Sequence, residues 1–124
     1  MDYSQLSDFE INNLVAIAIG AKVTDSYRVG DARESVYYSL GEDEFCVRRG
    51  YGSISMQFDP CNNASDAWPI IQDNFISIIF DEDGNEPPQN AWCKAITKTG
   101  ESHYGSEKEP LKTAMIAFLM KANK

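Results

Sequence analysis

The sequence predicts an α+β fold, a mostly antiparallel sheet flanked by three helices in a layered αβα-type sandwich. Two observations carry that prediction. Apolar residues recur at helical spacing near both ends of the chain and once in the middle. Between them lie short β-branched and aromatic runs, some of strict period two. Helices placed so can cover a sheet and close one core. At 124 residues the chain is read as a single domain, 1–124.

The first helix has a start and a stop. Ser7 precedes Glu10 by three residues, the capping-box spacing, and Leu6 and Ile11 sit where a hydrophobic staple falls. Ile11, Leu14, Val15 and Ala18 share a face, and Gly20 ends the helix. Strands follow at Val23 to Val29, Val36 to Leu40 and Phe45 to Arg48, with Gly41 turning between the last two. Ile54, Met56 and Phe58 alternate with Ser55 and Gln57, the pattern of a half-buried strand. Gly30-Asp31 and Gly50-Tyr51-Gly52 read as loops.

The run Phe58 to Ile71 comes next, FDPCNNASDAWPII. Asn62 or Asn63 makes a good N-cap. Ala64, Ala67, Trp68 and Ile71 then share a helical face, with Pro69 expected to kink or shorten the helix. On this reading Trp68 is core, and Trp68→Ala costs about 3–5 kcal/mol. Phe75 to Phe80 reads as a strand, Asp81 to Gln89 as an acidic loop, and Ala91 to Thr97 as the hairpin partner. His103-Tyr104-Gly105 joins that strand to the last helix. Ser106 and Glu109 have capping-box spacing there, Pro110 falls in the first turn, and Leu111, Ala114, Met115, Phe118 and Leu119 form the stripe.

Composition narrows the function classes. Hydrophobic residues make up 43% and charged residues 24%, a globular balance. The net charge of -8, from 19 acidic and 11 basic residues, opposes nucleic-acid backbones and anionic lipid. No nucleic acid and no membrane is expected as a partner. Three widely spaced cysteines, Cys46, Cys61 and Cys93, make neither a disulfide framework nor a zinc site, and they fit a reducing cytoplasm. No run reaches the roughly twenty apolar residues of a membrane span, and the polar Met-Asp-Tyr-Ser start carries no secretory signal.

Candidate chemistry is sparse. His103 is the one histidine. With Tyr104 and the Asn62-Asn63 turn it is the best candidate for a small-ligand site, where helix N-termini hold a nucleotide or another anion. Capping and ring packing are the commoner roles for these four residues. Cys61 precedes a helix N-terminus, where the dipole favours a thiolate, so a Cys61-His103 pair is the one route to a hydrolase. A small buried cysteine is the commoner role. Asp81, Glu82, Asp83 and Glu86 lack the spacing and terminal ligand of a calcium loop. No metal and no cofactor is called for. Tyr37, Tyr38, Tyr51, Trp68 and Trp92 are compatible with an aromatic surface, though strand aromatics more often pack in cores.

Three blocks of the chain resemble the NinX family of lambdoid-phage proteins: MDYSQLSDFEINNLVA, FDPCNNASDAWPII and HYGSEKEPLKTAMIAFLM. The match spans almost the whole length and is weakest from Val23 to Gln57. The resemblance implies a small protein from the early accessory region of temperate phages, and it brings no catalytic residue with it. More distantly the element order is similar to the phage proteins called ABA-sandwich domains, which implies αβα layering. Together these readings point to a non-enzymatic accessory protein that binds a host or phage protein in the bacterial cytoplasm. A small-ligand binder is the alternative. The sequence leaves the oligomeric state open, a homodimer included.

Overall fold

The computed structural model describes residues 2–52, 54–84 and 91–124. Among them are three α-helices and six strands in two antiparallel three-stranded sheets, so the α+β class holds, with the strands divided between two sheets. The contacts gather into two compact units, Met1–Asp59 and Pro60–Lys124.

The first unit opens with a 3-10 turn, Tyr3–Gln5, and helix α1, Asp8–Ala18. The capping box forms as read: Ser7 Oγ accepts from the Glu10 amide and Glu10 accepts from the Ser7 amide. Gly20 has φ +100, and its amide donates to Ile17 O while Ala21 donates to Ala16 O. Those two bonds are a Schellman closure, which needs a left-handed residue. The buried face is Ile11, Asn12, Val15 and Ala16. Ala18 is exposed and Leu14 half-buried, so the expected face is rotated toward Asn12 and Ala16. The rotation has polar causes. Asn12 Nδ2 donates to Asp59 Oδ1 at 2.8 Å, and the hydroxyl of buried Tyr38 donates to Asn13 Oδ1 at 2.5 Å. A buried polar group requires such partners.

Strands β1 (Lys22–Val29), β2 (Arg33–Leu40) and β3 (Asp43–Arg49) form the first sheet in chain order. One face of this sheet packs on α1: Ala16, Ala21, Tyr38 and Val47 make the cluster, with Phe9, Val36, Leu40, Phe45 and Phe58 against it. The other face follows from the register, since directly opposed residues share a face. It carries the rows Tyr27–Ser35–Arg48, Asp25–Tyr37–Cys46 and Lys22–Ser39–Glu44. The register slips between Val23 and Asp25, so Thr24 is a bulge. Every residue of edge strand β1 is exposed; the bulge and the charges of Lys22, Asp25 and Arg28 discourage strand addition there.

The strand expected at Ile54 to Phe58 does not form. Only a parallel bridge joins Gln57 to Cys46. The Gln57 amide donates back to Ile54 O, closing a turn inside the run, and Ile54 and Met56 are each 41% exposed.

The second unit contains α2 (Ala64–Asp73), β4 (Ser77–Glu82), β5 (Ala91–Ile96), β6 (Ser102–Ser106) and α3 (Pro110–Ala122), with sheet order β4-β5-β6. Helix α2 runs ten residues through Pro69 and buries Ala67, Ile70 and Ile71. Trp68 is 59% exposed, which overturns its assignment to the core, and Ala64 is exposed as well. The pattern of small and apolar residues fits two adjoining faces; packing selects the one that places Ile70 inside. Phe75 is not in a strand. It has φ +53 and ends α2, its amide donating to Gln72 O while Ile76 donates to Ile71 O.

β4 and β5 pair as the expected hairpin. Asp81 and Glu82 belong to β4, and residues 85–90 of the acidic loop lie outside the described residues. His103-Tyr104-Gly105 is a strand rather than a connector, opposed to Ala95, Lys94 and Cys93. The expected Ser106–Glu109 capping box is absent: Ser106 ends β6, its Oγ accepts from the Lys108 amide, and α3 has Glu109 as N-cap with no side-chain bond. Pro110 at the first helical position fits the helix without loss of a bond. α3 packs on β5, β6 and α2 and is buried all round from Thr113 to Leu119, wider than the expected stripe. A Cβ on Gly105 would overlap Thr113 Oγ1, so glycine sets that helix–sheet approach.

Candidate functional site

The four residues singled out by sequence separate onto distinct structural roles. Asn63 is the N-cap of α2, its side-chain oxygen accepting from the Ser65 amide at 2.9 Å, and Asn62 beside it is exposed. His103 is half-buried and Tyr104 is 60% exposed. They occupy consecutive positions of β6, so their side chains leave opposite faces of the sheet. His103 shares a face with Ala95, and Cys93 and Gly105 share that face, which meets α3. Tyr104 stands on the other face, edge-on to Trp92 at 5.4 Å and under Lys94 Nζ at 5.1 Å.

Cys61 is buried at 4% exposure, a setting that shields a thiol from a substrate. Cys46 and Cys93 are buried too, and none of the three forms a disulfide. Burial pushes the Cys46 thiol up, with the Arg48 charge opposing. Cys93 Sγ lies 3.2 Å from Ser106 O and serves packing between β5 and β6. Among the described residues no group of three or more His, Cys, Asp or Glu side chains is placed to hold a metal ion. Of the acidic set, Asp83 accepts from Trp92 Nε1 at 3.2 Å, and Glu86 lies outside the described residues.

Two surfaces stand out instead. The first is on α2. Trp68 stands in the second turn of α2, and Phe75 follows its C-cap, Asn74. They are 59% and 66% exposed. Lys98 Nζ lies 4.9 Å from the Phe75 ring centre. A non-glycine residue in the left-handed region costs roughly 1–2 kcal/mol, and here that cost leaves an aromatic ring in solvent. Asp73 ends α2, the last turn has no basic residue, and the Lys98 ammonium over the Phe75 ring supplies the nearby positive charge.

The second is a cleft of about 320 Å³ on the first sheet, lined by Asp25, Tyr27, Tyr37, Glu44, Phe45 and Met56 among others. Tyr27 and Tyr37 meet edge to face at 5.8 Å. The Tyr27 hydroxyl donates to Asp25 Oδ2 at 2.6 Å, and that bond, together with the carboxylate charge, holds the phenol above its ordinary pKa. Of these residues the sequence flagged only Tyr37. The residues come from three strands and the run after them, and their convergence depends on the pairing register of the sheet.

No helix among the described residues is long and apolar enough to cross a membrane. A family model described as bacteriophage P22, NinX matches residues 2–122, nearly the whole chain, and the chain belongs to that family. No curated protein and no solved structure matches it.

Proposed function

We propose that this phage-family chain is an accessory protein that acts without catalysis, by binding a host or phage protein in the bacterial cytoplasm. The observation that carries the reading is the pair of exposed aromatic residues at α2, Trp68 and Phe75. Tryptophan is the residue type most enriched among interface anchors, and Phe75 holds a strained backbone while presenting its ring. The net charge of -8 favours a partner with basic residues around its contact.

The test is to place a photo-crosslinking residue at position 68 in cells carrying the phage, to identify the adduct, and to measure its affinity with purified protein. Trp68→Ala and Phe75→Gly are expected to weaken that affinity about tenfold or more while the fold is kept. An identified adduct whose affinity is indifferent to both changes sinks the reading. So does a rise in melting temperature with nucleotides, which would restore the small-ligand alternative at Asn62, Asn63, His103 and Tyr104.

A further inference from the structure

We infer that the cleft on the first sheet is a receptor for an arginine side chain of a basic protein segment. This site lies in the first unit, whereas Trp68 and Phe75 belong to the second, and it stands on separate observations.

The molecule supplies its own standard of comparison. On the α1 face of the first sheet, Arg49 sits among a ring and a carboxylate: its Nε and Nη2 donate to Glu34 Oε1 at 3.3 and 3.2 Å, and its Cζ lies 5.5 Å from the Phe9 ring centre. On the opposite face, Arg48 lies over Tyr51 at 4.2 Å. Both guanidiniums of β3 are thus housed by aromatic rings. The cleft has the same furniture without the cation. Asp25, Tyr27, Tyr37 and Glu44 stand on one face of the sheet, with two rings and two carboxylates. No basic residue is among the described residues lining it. Neither Asp25 nor Glu44 forms an ion pair among the described residues, and Lys22, in the row of Glu44, forms none either.

Ring faces attract a cation through their quadrupole, and carboxylates fix it by charge. A planar guanidinium uses both at once, stacking on a tyrosine while its fork meets a carboxylate; an ammonium offers only a point charge. The guarded edge of β1 argues for side-chain insertion over strand addition. The exposed Met56 at the rim supplies an adaptable apolar wall for the arginine stem.

The test is a nuclear magnetic resonance titration of the full chain with the peptide acetyl-Gly-Arg-Gly-amide, its citrulline counterpart and its lysine counterpart. The arginine peptide is expected to give saturable shifts at Asp25, Tyr27, Tyr37 and Glu44. The citrulline peptide, which keeps the shape and loses the charge, should bind at least about tenfold more weakly, and the lysine peptide should fall between. Asp25→Asn with Glu44→Gln should abolish the shifts and leave the remaining amide spectrum unchanged. Should that variant misfold, salt decides: added sodium chloride must weaken the arginine peptide and leave the citrulline peptide unaffected. Absence of saturable shifts overturns the inference. Equal binding of the citrulline peptide, or of the lysine peptide, overturns it too, as does binding that survives the double substitution or added salt.

Discussion

The ends of α1 and α2 use one motif with opposite residues. Both helices close with the same pair of backbone bonds, Gly20 to Ile17 and Ala21 to Ala16 in one, Phe75 to Gln72 and Ile76 to Ile71 in the other. Each needs a left-handed residue after the C-cap. At α1 that residue is glycine with φ +100, which adopts it without strain. At α2 it is phenylalanine with φ +53, 66% exposed. Glycine there would close the helix as well and at lower cost. α1 closes on a residue that adopts the conformation freely, whereas α2 closes on a strained residue whose ring stays at the surface beneath Lys98.

The comparison can be broken at several points. The largest effect is expected at Ile71, which is buried at 4% exposure at the third position from the helix end. Ile71→Ala should cost about 2–5 kcal/mol in chemical denaturation, because burial, rather than Phe75, holds the α2 closure. Gly20→Phe should destabilise by roughly 1–2 kcal/mol, the strain that Phe75 carries now. Phe75→Gly should do the reverse, raising stability by about 1 kcal/mol or somewhat more; a loss of stability would show that the ring has a structural role and remove Phe75 from the proposed contact. Trp68→Ala should change stability by no more than about 0.5 kcal/mol, against the several expected of a core tryptophan.

A pH titration sharpens the account of the second unit independently of its helices. Thr97 Oγ1 donates to Glu101 at 2.5 Å, Thr99 does likewise, and Lys124 Nζ adds a bond at 2.9 Å. In that order these hold the carboxyl at about 2, down from 4.5. A depressed carboxylate stabilises the fold above its ordinary pKa and loses that contribution as pH falls toward the folded value. Stability should therefore decline between about pH 4.5 and 2, and Glu101→Gln should flatten that limb in urea melts taken across the range. An unchanged slope would assign the acid limb to other carboxylates.

Much of the fold was legible because its signals are local. Ser7 and Glu10 fix the start of α1 within one turn, Gly20 and Gly41 mark positive φ, and Asn63 caps α2 next to its own amides. Where the signals were ambiguous the reading failed. Ile54 to Phe58 alternates like a strand, yet a turn closes inside the run, from the Gln57 amide to Ile54 O. His103-Tyr104-Gly105 reads as the connection from the last strand to the last helix; pairing with β5 makes it a strand. The cleft was hidden for a further reason. Asp25 and Tyr37 are opposed through a pairing that runs unbroken from Val29 and Arg33, and a one-residue slip of that pairing would set Tyr37 against a residue of the other face.

The α+β class, the three helices, the caps of α1 and α2, the β4–β5 hairpin and the family follow from the amino-acid order alone, since each rests on neighbouring residues or on blocks of identity. Tertiary packing chose which face of α2 is buried, divided the strands between two sheets, and set where rings and carboxylates converge. Those outcomes depend on contacts between residues far apart in the chain. Packing chooses there among faces that are nearly equal in hydrophobicity, and so it placed Ile70 inside and Trp68 outside.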